Sequence, residues 1–536
     1  MSDYIIAIGG TGSRVVEAII HLCDCGFFVS KEIKLLIIDA DANCGNKQGA
    51  EELIYAYNGC REEYYKDGGE IFKTKISPAY VSGGMSSFSV SPFSSASTTY
   101  TIKDKLVKEG GSADRAAINL MKALYSKDEY EKNITKGFYA RPSSGALLFS
   151  HYLKDNNSEV SKVIDNIKND ITGNNDVNIF VVASSFGGTG ASGFPAVANK
   201  IRTDDRLKGH QDKIRMAGCY MLPYFSCEKG TDEESSIRFD TFNESARNAL
   251  MFYRDQRLTD AFEKVYVLAD SNPIRRGEYA DEGSKQKNWP HIIELFAALA
   301  ANEYFSSDKR EYKENNVAEW VGIETQDKTS LMNVKWEDMP GYEKFKPAFC
   351  RFLAFNLFYP SAVMARFLKV DNNKFSRVEA RNVKWEPCKS RAFMGGFFRK
   401  KWTDGFDSAK VRGFLRLYEY FNKHTEWVFN IISDFGEGHE RIVKNLFGAD
   451  ESAIKSRHEL SNLLNDSSAD KQEIFEKKTD VGAHTAEWEN IFSDEINIGG
   501  IFNDIFNLGK VKLSEPSDVI KEIIQSVYKC VAQYVK

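Results

Sequence analysis

Short, nearly unbroken apolar runs alternate along the first half of the chain with stretches in which apolar residues recur every three or four positions. The runs are YIIAI from Tyr4, IKLLIID from Ile33, NIFVVAS from Asn178, IRMAGCYML from Ile214 and KVYVLAD from Lys264. Continuous apolarity over so few residues predicts parallel strands covered on both faces. Between them, RVVEAIIHLC places Val15, Val16, Ile19, Ile20 and Cys23 on one helical stripe, and GALLFSHYL and FPAVANKI read the same way. The alternation predicts an α/β fold, a Rossmann-type parallel sheet flanked by helices, with ligands at the carboxyl ends of the strands.

Those ends carry unusual residues. Gly9-Gly10-Thr11-Gly12-Ser13 follows the first strand and Asp39-Ala40-Asp41-Ala42-Asn43 the second. GFYARPSSG, from Gly137 to Gly145, precedes a helix, and SSFGGTGASGFP, with Gly187-Gly188-Thr189-Gly190, joins a strand to a helix. Glycine admits positive φ and lets backbone approach a phosphate, while a helix N-terminus offers free N–H groups and a partial positive charge. One such turn also serves packing alone. Two at one sheet edge, each feeding a helix, predict a polyphosphate site. There is no G-x-x-x-x-G-K-[ST], and Val15 stands where the dinucleotide fingerprint has its third glycine. Asp39 ends the second strand, where it is placed to hold a ribose, so an NAD- or FAD-binding oxidoreductase stays open as an alternative.

With these residues in place, the chain resembles the tubulin/FtsZ superfamily, most closely its FtsZ-like and bacterial tubulin-like members. The family signature GGGTG[ST]G is matched by FGGTGASG, with Thr189, Gly190 and Pro195 at the family's spacing, Phe186 in place of the first glycine and Ser192 in place of the last. IAIGGTGSR resembles the first nucleotide loop, IIDADAN the stretch VNTDAQ, and GFYARPSSG the γ-phosphate loop GAGxNPEVG, with Arg141 in place of Asn. LPYFSCEKG is similar to the ribose loop KPFxFEG, and FNESARNAL to the start of the central helix. The match spans roughly residues 1–260. It implies GTP or GDP as ligand, held by Gly9, Gly10, Thr11, Gly12, Ser13, Arg14, Asp39, Asp41 and Asn43. It adds Arg141, Pro142, Ser143, Ser144 and Gly145, then Phe186, Gly187, Gly188, Thr189, Gly190 and Ala191, with Glu228 near the ribose and Asn243 against guanine. The resemblance also implies Mg²⁺ at Asp41, and head-to-tail self-assembly into a homopolymer whose subunit contact completes GTP hydrolysis.

Two departures qualify this. About 90 residues separate the second loop from the third, and part of that insertion (45–136), GGMSSFSVSPFSSASTTY, reads as an exposed loop. The acidic motif that polymerising members carry after the central helix is missing. Asp270, Asp281, Glu282, Glu294 and Glu303 are the acids of that region. Glu294, early in its helix, is the candidate catalytic acid, with a solvated or capping glutamate as the other reading. A nucleotide-binding switch or scaffold that hydrolyses nothing therefore stands beside the filament-forming GTPase.

The remaining chain is expected to form an α+β domain over 261–400 and a helical region over 401–536, with EWVGIET and SLMNVKW as short strands. Lys and Arg number 71 against 76 Asp and Glu, a net charge of −5, so no broad basic field supports nucleic-acid binding. Nine scattered cysteines read as reduced thiols in a cytoplasm, with Cys23 and Cys25 packed. The eight histidines show no ligand spacing. The N-terminus enters a strand directly, which predicts no signal peptide, and no apolar run reaches the ~20 residues of a membrane helix. Protein partners other than a second copy stay unidentified.

Overall fold

The computed structural model describes residues 1–65, 67–82, 85–93, 101–104, 115–135, 137–138, 141–228, 242–255, 258–269, 274–278, 283, 288–307, 319–321, 335–364, 368–371, 374–377, 408–432, 444–485, 488–492 and 519–536. The chain divides into two compact units. The first comprises Met1–Ile19, Val29–Ile54 and Ile76–Glu324, the second Ile20–Phe28, Tyr55–Lys75 and Thr325–Lys536.

The first unit is built on one sheet. Its elements in chain order are β1 (Ser2–Ile8), α1 (Gly9–Asp24), β2 (Glu32–Ile38), α2 (Gly45–Tyr64), β3 (Lys75–Pro78), β4 (Ser89–Val90), α3 (Pro142–Tyr152), α4 (Glu159–Thr172), β5 (Val177–Ser184), α5 (Gly188–Thr203), β6 (Ile214–Met221), α6 (Phe242–Asp255), β7 (Lys264–Leu268), α7 (Ile292–Ser306) and β8 (Glu319–Val321). The ends of α1 and α2 belong to the second unit. The strands lie in the order β8-β7-β6-β5-β1-β2-β3, with β4 also beside β2. β1 pairs in parallel with β2 and β5, β5 with β6, β6 with β7, β7 with β8, and β2 with β4. All five apolar runs are strands of this sheet. β5 is buried along its whole length, as two covered faces require. α7 is buried on nearly every side, which explains why IIELFAALAANEYF shows almost no polar face.

The structure differs from the sequence expectation in three places. EWVGIET supplies β8 of the main sheet, so the first unit runs to Glu324 and not to 260, and residues 325–536 group together instead of dividing at 400. Trp336–Asp338, at the end of SLMNVKW, is a 3-10 turn, and residues 331–334 lie outside those described. GGMSSFSVSPFSSASTTY is not all exposed loop: it adds β4 to the sheet and buries Phe93 in the core. Its serines and glycines concealed a few apolar side chains that suffice to pin a short strand.

The second unit is mainly helical, with α8 (Tyr342–Tyr359), α9 (Ser408–Ile432), α10 (Glu451–Asn465), α11 (Lys471–Thr485) and α12 (Val519–Ala532). The aromatic stripes meet edge to face: Phe355 packs on Phe421 at 5.2 Å and on Tyr528 at 5.6 Å. A Cβ on Gly482 would lie 2.6 Å from the Leu357 carbonyl oxygen, so α11 crosses α8 at backbone distance. Among the described residues no helix is long and apolar enough to cross a membrane.

Gly12 illustrates what positions α1. A Cβ there would lie 2.9 Å from the Ala7 carbonyl carbon and 3.2 Å from the Val182 oxygen. Gly12→Ala is expected to lift α1 off the sheet and cost about 1–3 kcal/mol. Gly209→Ala, which meets open space, is expected to stay within about 0.5 kcal/mol of wild type. Denaturant midpoints of the two variants check this.

Candidate functional site

From β1 the chain moves outward to β2 and β3, then returns to β5 on the other side of β1. Strand order thus reverses between β1 and β5, and the crevice outside their carboxyl ends is where open α/β sheets bind ligands. The two glycine turns follow these two strands. They touch: Gly9 has φ +78°, and a Cβ there would sit 3.3 Å from the Gly190 nitrogen and 3.7 Å from Thr189 Cβ. Gly10 borders Asn46 and Cys44 at the start of α2. Gly137, at φ +98°, lies beside Asp41. The loops after β1, β2 and β5 and the loop before α3 therefore converge on one edge.

Three helices begin there: α1 at Gly9, α3 at Pro142 and α5 at Gly188. None has an acidic residue in its first turn, and the N-caps of α3 and α5, Arg141 and Gly187, make no side-chain capping bond. Other helices of the chain are capped from within. Ser158 accepts from the Ser161 N–H on α4, and Asp450 from Ala453 on α10. The uncapped ends leave N–H groups and positive helix dipoles directed at one place. Arg141 is itself the N-cap residue of α3, and its Nη1 is closed off from solvent and has no hydrogen-bond partner. A buried guanidinium nitrogen without an acceptor is a costly arrangement that an anion would relieve.

Several predicted residues also serve packing. Gly145 lets α3 press on Ser192 of α5, and Gly190 lets the start of α5 press on Ser184. Ser13 Oγ donates to the Gly9 carbonyl, and Ala191 accepts from the Tyr253 hydroxyl. Phe186 packs in an aromatic cluster with Tyr224, Phe225 and Phe242. Thr11, Ser144 and Thr189 are buried, while Asn43 and Ser143 are exposed and Gly10 and Gly187 half-buried.

The second loop is held by its own carboxylates. Asp39 Oδ1 accepts from the Asp41 N–H at 3.0 Å, and Asp41 accepts from Asn43 N–H at 2.8 Å and Gly283 N–H at 2.9 Å. Each Asp41 oxygen keeps a second lone pair for a cation. Burial pushes the Asp39 carboxyl up to about 6, against the Asp41 N–H and the nearby Lys47 ammonium, which act to lower it. Asn46 and Lys47, at the start of α2, were not anticipated from the sequence. They lie three and four residues past the recognisable loop and carry no motif of their own.

Arg14 and Glu294 were expected at the phosphates and at the catalytic position, and the structure gives both another task. Arg14 Nε donates to Glu294 Oε1 at 2.5 Å, and the Tyr224 hydroxyl lies 2.7 Å from Arg14 Nη2 and 2.5 Å from the same Oε1. Glu294 Oε2 accepts from the His291 N–H at 3.0 Å, closing a capping box on α7, and both charged side chains are sealed from solvent. Glu294 takes its capping reading. Glu303 is engaged by Lys264 and Tyr266. Asp270, Asp281 and Glu282 lie outside the described residues, as does the side chain of Glu228, whose backbone ends the strand Phe225–Glu228. Asn243 is exposed on the first turn of α6 and lines an open groove of about 450 Å³ with Leu222, Pro223, Arg247 and Arg254.

No protein-family model matches the chain, and no curated protein matches its sequence.

Glu294→Gln removes the charge that balances buried Arg14. The expected loss is about 3–5 kcal/mol of unfolding free energy, read from chemical denaturation. Asp39→Asn has the opposite sign at neutral pH. Because the native carboxyl titrates near 6 and its ordinary value is 3.8, the ionised form costs stability above pH 6, and the cost vanishes below pH 4. The ligand-free variant is therefore expected to melt above wild type at pH 7.5 and level with it near pH 4.

Proposed function

We propose that the carboxyl edge between β1 and β5 binds the polyphosphate of a guanine nucleotide. The observation that carries the reading is the meeting of two uncapped helix N-termini with the partnerless Arg141 nitrogen where strand order reverses. Backbone N–H groups of residues 187–190 and of Ser143 and Ser144 take the phosphate oxygens, and Arg141 neutralises charge on the terminal group. A divalent cation bridges Asp41 and the phosphates, as Mg²⁺ does when it uses one or two carboxylates and keeps its waters. Guanine is the base in this reading because Asn243 offers a donor and an acceptor in an open groove and because the loop order resembles that of the tubulin/FtsZ superfamily.

Head-to-tail assembly belongs to the same resemblance. In a filament of that type each contact is heterologous and does not close. Hydrolysis is the weaker part of it. With Glu294 engaged by Arg14, Tyr224 and its own helix, binding without turnover is the reading the geometry favours, and Glu294 is not carried forward as a catalytic acid. A nicotinamide or flavin reading has less support, since Asp39 directs Oδ1 to the Asp41 N–H.

Calorimetric titration of nucleotide-free protein with GTP, GDP, ATP and NAD, with and without Mg²⁺, tests the proposal. GTP is expected to bind with Mg²⁺ dependence, and Arg141→Gln to weaken it about 10–100-fold at an unchanged melting temperature. Binding of NAD or ATP with none of GTP would refute the guanine assignment, and unchanged affinity in Arg141→Gln would refute the placement of the phosphates. Sedimentation with GTP then separates filament from switch.

A further inference from the structure

A second cluster lies in the mainly helical unit. His21 and Asp24, three residues apart, share a face of the last turn of α1, and Tyr420 and His424, four apart, share a face of α9. The two pairs meet. His21 Nδ1 and His424 Nδ1 are 3.1 Å apart, and each is 3.0 Å from Asp24 Oδ2. The Tyr420 hydroxyl donates to the same oxygen at 2.7 Å. His21, Asp24 and His424 are all buried.

As a plain hydrogen-bond network this arrangement is poor. Three groups crowd onto Oδ2 while Asp24 Oδ1, equally buried, has no hydrogen-bond partner, and only the Cys25 amide acts on the carboxylate from nearby. His424 Nε2 is buried without a partner as well. The two Nδ1 atoms face each other, so protons on both would be pressed together. Asp24 also ends its helix, where the macrodipole opposes a carboxylate. A cation at the centre relieves the crowding on Oδ2, takes the place of protons between the facing Nδ1 atoms and offsets the helix dipole, while His424 Nε2 keeps its proton.

We propose that His21 Nδ1, His424 Nδ1 and the Asp24 carboxylate hold a first-row divalent transition ion, with zinc as the default occupant and the Tyr420 hydroxyl or the second carboxylate oxygen at the fourth position. Two imidazoles and a carboxylate are a donor set that such ions take. Ligands about 2.0–2.2 Å from zinc lie roughly 3.3 Å apart in a regular tetrahedron. The observed 3.0–3.1 Å triangle therefore needs only a small expansion. The shell is aromatic, with Trp427 at 4.4 Å from the His21 ring and Phe352 at 4.9 Å from that of His424. It leaves no open coordination position reaching solvent, which marks a structural site that loads as the unit folds.

The test uses the full-length, tag-free chain with Zn²⁺ and Co²⁺ as probes. Protein prepared with Zn²⁺ is expected to hold close to one equivalent by elemental analysis. It should melt roughly 5 °C or more above chelator-treated, refolded protein. Co²⁺ should give visible d–d absorption without the near-ultraviolet charge-transfer bands of a thiolate. Asp24→Asn and His424→Gln should each abolish uptake and the metal-dependent shift. If either variant fails to fold, the Co²⁺ spectrum and Zn²⁺ content of wild type decide alone. Wild-type protein that takes up neither ion, a melting temperature indifferent to both, thiolate bands, or undiminished uptake in folded variants would overturn the proposal.

Discussion

The approach of Gly9 to Gly190 is the contact on which the candidate site depends. Parallel pairing of β1 with β5 sets their last residues side by side, Ile8 against Ala183. The two following turns then have to share one small space. Only a residue without a Cβ, at positive φ, fits at position 9. Because the turns abut, the helices they feed begin at one edge, and their N-termini lie close together. Gly12 extends the same constraint by letting α1 lie against strand backbone, while Gly145 and Gly193 make room for the side chains of Ser192, Phe138, Phe149 and Ile8.

Charge around this edge is divided in a consistent way. Residues that fix the scaffold are paired within the chain. Arg14, Tyr224 and Glu294 form a closed triangle that ties α1 to the capped start of α7, and Asp39 and Asp41 hold their own loop through backbone N–H groups. Breaking a sealed pair of this kind is expensive because the partner is left charged and dry. The N-termini of α3 and α5, which no side chain caps, and the partnerless Nη1 of Arg141 all favour negative charge. An edge that satisfied its own polar groups throughout would have nothing to offer a phosphate.

Much of this was legible in the sequence, and the rest was hidden for identifiable reasons. Strand runs such as NIFVVAS are local signals, and a parallel sheet follows from their alternation with helices. The glycine turns are local as well. The partner of Arg14 is not: Glu294 lies 280 residues away, and a buried arginine reads like a phosphate arginine until its partner is seen. Phe186 looked like a defect in a glycine motif, yet it fills an aromatic pocket that residues 224, 225 and 242 build from later in the chain. The His21–Asp24–His424 cluster escaped spacing rules for the same reason, since 403 residues separate its two histidines. Serine-rich composition masked β4 because a single pair of backbone hydrogen bonds, from Ile37 and Asp39 to Phe88 and Val90, is enough to make a short edge strand.

The central claim is that phosphate oxygens replace the missing caps at this edge. Amide hydrogen exchange of residues 9–13, 141–145 and 187–191, followed with and without GTP and Mg²⁺, tests it most directly. The account predicts that nucleotide slows exchange at these three segments together, because each contributes N–H groups to one anion, while α4 and α10, capped by their own side chains, do not change. Exchange unaltered at residues 187–191 and 141–145 by nucleotide that demonstrably binds would place the ligand elsewhere and contradict the account.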